Sequence, residues 1–144
     1  PACLAGQPPL GEVLPRAVSV QSAGLLPSFV HAGTLSDEEQ TEELLAAYGI
    51  FERHGYLPTI PGSTCFVGYD AGLLLYGLAR FGHPGAEAVL AHVVGIADSA
   101  DAWVEYYDAG RPFNTRCRPW ESGMNIAAAR YCAAAIGKGE TELD

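Results

Sequence analysis

Beyond residue 35 the apolar positions recur mostly at helical spacing. Ser36-Asp-Glu-Glu opens the first such stretch as a capping box, in which the Ser36 hydroxyl accepts from the Glu39 amide and the Glu39 carboxylate accepts from the Ser36 amide. Asp37, Glu38 and Glu39 also suit the positive end of a helix dipole. Leu44, Ala47, Tyr48 and Phe51 then share one face, and Gly55 is placed to end a helix at about His54. Tyr56 to Thr64 carries Pro58 and Pro61 and reads as a loop. A second helix is predicted from about Tyr69 to Phe81. Its Leu73, Leu74, Leu75, Tyr76, Leu78, Ala79 and Phe81 surround it, so it should be buried. Gly82-His83-Pro84 turns the chain, with Pro84 at the first position of a third helix that reaches about Ala97. Ala86, Val89, Leu90, Val93 and Ala97 form its buried stripe, and the two helices make an antiparallel αα-hairpin.

The pattern changes at Trp103 to Asp108, where aromatic and β-branched residues favour a short strand. Ala109-Gly110-Arg111-Pro112 turns it, and a loop is expected to continue to Gly123. A fourth helix spans about Met124 to Ile136, its alanines permitting close helix approach, with Gly137 as terminator. Residues 138–144 read as a loose polar tail. Residues 1–35 are broken by Pro1, Pro8, Pro9, Pro15 and Pro27 and read as an extended arm, with short alternation from Arg16 to Ser22. The expectation is one mainly α domain over 1–144, with a helical body at 36–137.

Composition adds three constraints. The chain is 49% hydrophobic and only 17% charged, which suggests that part of its surface is covered by a second copy, a partner or the rest of a longer chain. Its formal net charge of -9, with a single lysine at Lys138, argues against a nucleic-acid surface. No apolar run is long enough for a membrane span, and no leader peptide is visible. Cys3, Cys65, Cys117 and Cys132 form no Cys-x-x-Cys pair, and no histidine lies at ligand spacing from them, so no metal or other cofactor is expected. They read as buried reduced thiols, favouring a reducing, cytoplasmic location.

Candidate chemistry is concentrated between Trp103 and Asn125. This stretch holds both tryptophans, Glu105, Glu121 and three arginines. Glu121 lies between Trp120 and a Ser-Gly pair near a helix entrance, where the dipole favours a carboxylate and an indole partly desolvates it. The plainer role is a cap or an ion pair with Arg116 or Arg118. Glu105 is the second carboxylate; glycosidic hydrolysis uses two carboxylates about 5 to 10 Å apart, and a buried ion pair is its structural alternative. Trp120, Trp103 and Tyr107 offer flat apolar faces for sugar rings, although packing is the commoner use of each. Arg116 and Arg118 flank Cys117 and share one side of an extended segment, where they could bind an anionic sugar or brace the carboxylates. Cys117 has no histidine close in sequence to activate it. Asp70 suits a helix cap.

Val67-Gly-Tyr-Asp-Ala-Gly through Gly82-His83-Pro84, then Trp103-Val-Glu-Tyr-Tyr-Asp and Arg118-Pro-Trp-Glu-Ser-Gly-Met-Asn, resemble segments of six-hairpin glycosidases, the (α/α)6 toroids of the glucoamylase and trehalase type. The resemblance covers roughly residues 30 to 136. It implies a partial toroid of αα-hairpins whose loops at one end bind an oligosaccharide or polysaccharide. Glu121 and Glu105 would be the catalytic pair, with Trp120, Trp103, Tyr107, Arg116, Arg118, Asn125, Tyr69 and Asp70 around the sugar. A full toroid has twelve helices and this chain supplies about four, so the expected completion is by copies of the chain or by the remainder of a longer one. A non-catalytic glycan-binding or assembly module and a toroidal polysaccharide lyase are the alternatives.

Overall fold

The computed structural model describes residues 36–59, 62–116 and 119–141, with the side chains of residues 113–116 and 137–141 outside the description. Among the described residues are four helices and a three-stranded antiparallel sheet. Helix α1 is Asp37–His54, β1 is Cys65–Val67, α2 is Asp70–Arg80 and α3 is Ala86–Gly95. Strands β2 (Val104–Asp108) and β3 (Arg111–Arg116) and helix α4 (Pro119–Thr141) follow. Residues 1–35, including the expected Arg16 to Ser22 extended segment, lie outside the described residues.

Helix α1 begins and ends as its sequence dictates. Both halves of the Ser36–Glu39 capping box form, and Gly55 takes a left-handed φ of 76° while its amide bonds the Phe51 carbonyl. Leu44, Ala47 and Phe51 are buried, with Tyr48 packed beside them. The helix runs antiparallel to α2. Leu44 lies against Gly77, while Gln40 and Asp37 both meet the Arg80 guanidinium, at 3.0 and 3.5 Å.

Helix α2 is the centre of the main core, with Ala71, Leu73, Leu74, Leu75 and Leu78 all buried. Its partner α3 begins at Ala86, two residues beyond Pro84, so Pro84 belongs to the turn rather than to the helix. Helix α3 stops at Gly95, slightly short of Ala97, and buries Ala86, Val89 and Val93.

The most extensive helix contact is between α2 and α4. Tyr69 meets Trp120, Gly72 faces Asn125, and Tyr76 meets Tyr131. The contacts advance in the same direction along both helices, so the two run parallel with their N-terminal ends side by side.

The expected loop from Ala109 to Gly123 is corrected in two places. Ala109 and Gly110 alone make the turn, both left-handed with φ of 48° and 76°, a two-residue hairpin geometry that lets the chain pair back immediately. Arg111 and Pro112 are consequently in β3, an edge strand where a proline is tolerated. Helix α4 starts at Pro119 rather than near Met124, because proline is suited to a first helical position. It also continues through Gly137 to Thr141, so Gly137 is not a terminator and Lys138 to Thr141 are helical rather than loose tail. A mid-helix glycine costs about 1 kcal/mol, which does not by itself stop a helix. None of the helices is long and apolar enough to cross a membrane, among the described residues.

The sheet has order β1-β2-β3 and its own small core of Phe66, Val104 and Tyr107. The Phe66 and Tyr107 rings stack at 4.8 Å. Two hydrogen bonds fix this sheet to the end of α3: Trp103 Nε1 donates to the Val93 carbonyl at 2.8 Å, and the Tyr107 hydroxyl donates to the Ile96 carbonyl at 2.9 Å.

Candidate functional site

Gly68 joins the elements on which the candidate residues sit. Its amide donates to the Glu105 carbonyl at 2.9 Å, and its own carbonyl accepts from Asn125 Nδ2 at 2.8 Å. One residue thus ties the approach to α2 to strand β2 on one side and to α4 on the other. A Cβ at Gly68 would overlap the Val104 carbonyl oxygen, so only glycine permits this approach. Gly72, one turn into α2, faces Asn125 as closely: a Cβ there would overlap Asn125 Oδ1. Neither glycine was singled out by the sequence reading, although both fall in the Val67-Gly-Tyr-Asp-Ala-Gly segment.

Around this junction lie three of the four buried polar or charged side chains in the described residues: Asp70, Glu121 and Asn125. Asp70 opens α2, Glu121 lies in the first turn of α4, and Asn125 follows one turn later on the same face. Glu121 is only 2% exposed, and its Oε2 has no hydrogen-bond partner. Asn125 Oδ1 likewise lacks one, being pressed against Gly72. Buried acceptors of this kind are costly in most interiors. Here two helix N-terminal ends lie side by side, and their partial positive charge favours carboxylates. The same dipoles disfavour a bound cation. Among the described residues no three His, Cys, Asp or Glu side chains gather as metal ligands.

Two aromatic rings meet at the same helix ends. Trp120 is 53% exposed, and its ring meets Tyr69 edge-on with centroids 5.9 Å apart. Tyr69 immediately precedes Asp70 and Trp120 immediately precedes Glu121. Each helix therefore contributes one ring and one acid at its N-terminal end.

The other sequence candidates are distributed differently. Glu105 is half-buried in β2 and is held near the junction through its backbone bond to Gly68. Trp103 and Tyr107 are buried with their polar atoms engaged by α3, so they act as anchors of the sheet and present no free ring face for a sugar. Burial pushes the Tyr107 phenol above its usual range. Arg116 ends β3 opposite Val104, but its side chain is outside the description, and Cys117 and Arg118 lie outside the described residues.

The reading of four reduced thiols is overturned at Cys65, which is disulfide-bonded. Cys132 is the buried free thiol. The part of the compartment argument that rested on four reduced thiols loses its basis.

The half-exposed Trp120 ring offers a flat apolar face at the helix ends, next in sequence to an acid that is itself buried. Comparison of the chain with protein-family models, with curated proteins and with solved structures gives no match.

Proposed function

We propose that this chain is a carbohydrate-active αα-hairpin domain that hydrolyses a glycosidic bond with carboxylate chemistry. The observation that carries the reading is the unpartnered Glu121 Oε2 at the paired N-terminal ends of α2 and α4, beside the exposed Trp120. In this reading Trp120 and Tyr69 stack on a sugar ring. Glu121 exchanges a proton with the glycosidic oxygen, and Glu105 on β2 is the companion carboxylate. Asp70 and Asn125 hold the two helix ends in place. The parallel course of α2 and α4, with α1 antiparallel to α2, is compatible with a sector of an (α/α) toroid. In such a ring every second helix points the same way, and further hairpins from copies or from a longer chain complete it.

The near-complete burial of Glu121 favours a second reading, a glycan-binding module without turnover. Oligosaccharide panels with the wild-type chain, Glu121→Gln and Trp120→Ala separate them. Hydrolysis is expected to fall at least about 100-fold in Glu121→Gln while binding persists, and both are expected to weaken in Trp120→Ala. Turnover unchanged in Glu121→Gln would contradict the assignment, and binding with no turnover in the wild type would establish the module instead.

A further inference from the structure

We propose that the candidate site continues along the α2–α4 seam as a track for an extended neutral glycan, held further on by a second aromatic pair, Tyr76 and Tyr131. This deepens the carbohydrate reading and rests on it. The rings of Tyr76 and Tyr131 meet with centroids 4.5 Å apart, as those of Tyr69 and Trp120 do at 5.9 Å. Tyr76 follows Tyr69 by seven residues, and Tyr131 follows Trp120 by eleven. Both intervals are close to whole numbers of helical turns, so each helix carries its two rings on one face. The helical rise sets the pairs about 10 Å apart along α2 and about 16 Å apart along α4. Trp120 is 53% exposed and Tyr131 39%, with Tyr69 and Tyr76 half-buried beside them.

The stretch between the pairs is low and uncharged. Leu73 and Met124, which occupy the intervening positions on these faces, are buried, and Ala127 is exposed but small. Neither face carries a charged side chain between its two rings. A sugar ring resting on Trp120 does not reach Tyr131, so contact with both pairs requires a chain of several units. Stacking on flat rings needs no charge on the ligand. A net charge of -9 works against an anionic glycan and against a second copy of this chain alike. A neutral chain of rings is the occupant that fits. Its far units would add binding energy remote from Glu121, so affinity depends on chain length.

The test is calorimetric titration with maltooligosaccharides and with cellooligosaccharides, each from the disaccharide to the hexasaccharide. In one of the two series Kd should fall about 10-fold from the shortest member to the longest. Tyr131→Ala should abolish that gain, and Tyr131→Phe, which keeps the ring, should retain it. Ala127→Lys puts a long side chain between the pairs at an exposed, helix-compatible position, and it should abolish the gain without altering either ring. Equal affinity at every length, or a gain that survives in Tyr131→Ala or Ala127→Lys, overturns the track and leaves the Trp120 site standing. Absence of binding by every member of both series overturns the track together with that site. Native mass should show the same species for wild type and Tyr131→Ala. A wild-type dimer that Tyr131→Ala dissociates would put a second copy on the seam and overturn the glycan track.

Discussion

The parallel helices α2 and α4 are built differently at their two ends. At the N-terminal end they bury Asp70, Glu121 and Asn125, and they approach through Gly68 and Gly72. Toward the C-terminal end the interior is apolar, with Leu78, Ala128 and Cys132 buried and a ring contact between Tyr76 and Tyr131 at 4.5 Å. A cavity of about 200 Å³ lies there, lined by Ala79, Ala86, Cys132, Ala135 and Ile136 and, around the α2–α3 turn, by His83 and Glu87. Burial, aided by the negative field of Glu87, pushes the Cys132 thiol above its usual range. One pair of helices thus carries acids where amide groups point out of both helix ends, and hydrocarbon where they do not. Three of the four buried polar side chains lie at the end that can stabilise them, and that end also exposes Trp120; the fourth, Gln40, is held by Arg80 at the other end of α2.

The contrast can be broken most severely at Gly68. Gly68→Ala drives a Cβ into the Val104 carbonyl, which is backbone and cannot rotate away, so chemical denaturation should show a loss of about 3 kcal/mol. Asn125→Ala should cost about 2 kcal/mol by the same measurement, because the Gly68 carbonyl loses its buried donor. Gly77→Ala is the sharpening control away from the site. There the clash is with the flexible end of Leu44, and the better helix propensity of alanine offsets part of it, leaving a loss of about 1 kcal/mol or less.

A smaller effect is expected from pH. His92 packs against Phe51 and Phe66, its Nε2 has no partner, and burial lowers its pKa from 6.5. The unfolded chain therefore takes up the proton first. Stability should fall as pH drops through 6.5 toward the folded-state value and be unaffected by this group above that window. His92→Phe should remove that part of the acid slope in melting curves recorded across pH. The least effect on stability should come from Trp120→Ala, within about 0.5 kcal/mol, since the ring is more than half exposed.

Local rules made α1 and α2 legible in the sequence. The Ser36–Glu39 box and Gly55 bracket α1, and the near-continuous leucines of α2 announce its burial. The boundaries that went astray depend on weaker signals. Pro119 followed by an acid in the first turn is a helix start, but a proline after a strand equally suits a loop, and only the packing of α4 on α2 decides between them. Gly137 looked like a stop where it is only a helix position of low propensity. The site was partly legible, since the acids and aromatic rings could be named. Their placement could not be read, because it depends on the parallel packing of helices separated by the β-hairpin. Trp103 and Tyr107 show the limit most clearly. An aromatic ring suits a ligand or a core equally well in sequence, and here the Val93 and Ile96 carbonyls engage their polar atoms within the fold.

The central claim is that the N-terminal ends of α2 and α4 take a sugar on Trp120, and tryptophan emission tests it most directly. The chain has only two indoles, one buried and hydrogen-bonded to Val93, the other exposed. Titration with neutral oligosaccharides should alter the emission of the wild-type chain in a saturable way, and Trp120→Phe should abolish the change while the Trp103 signal stays constant. A saturable change that survives in Trp120→Phe, or no change with any oligosaccharide, would contradict the account.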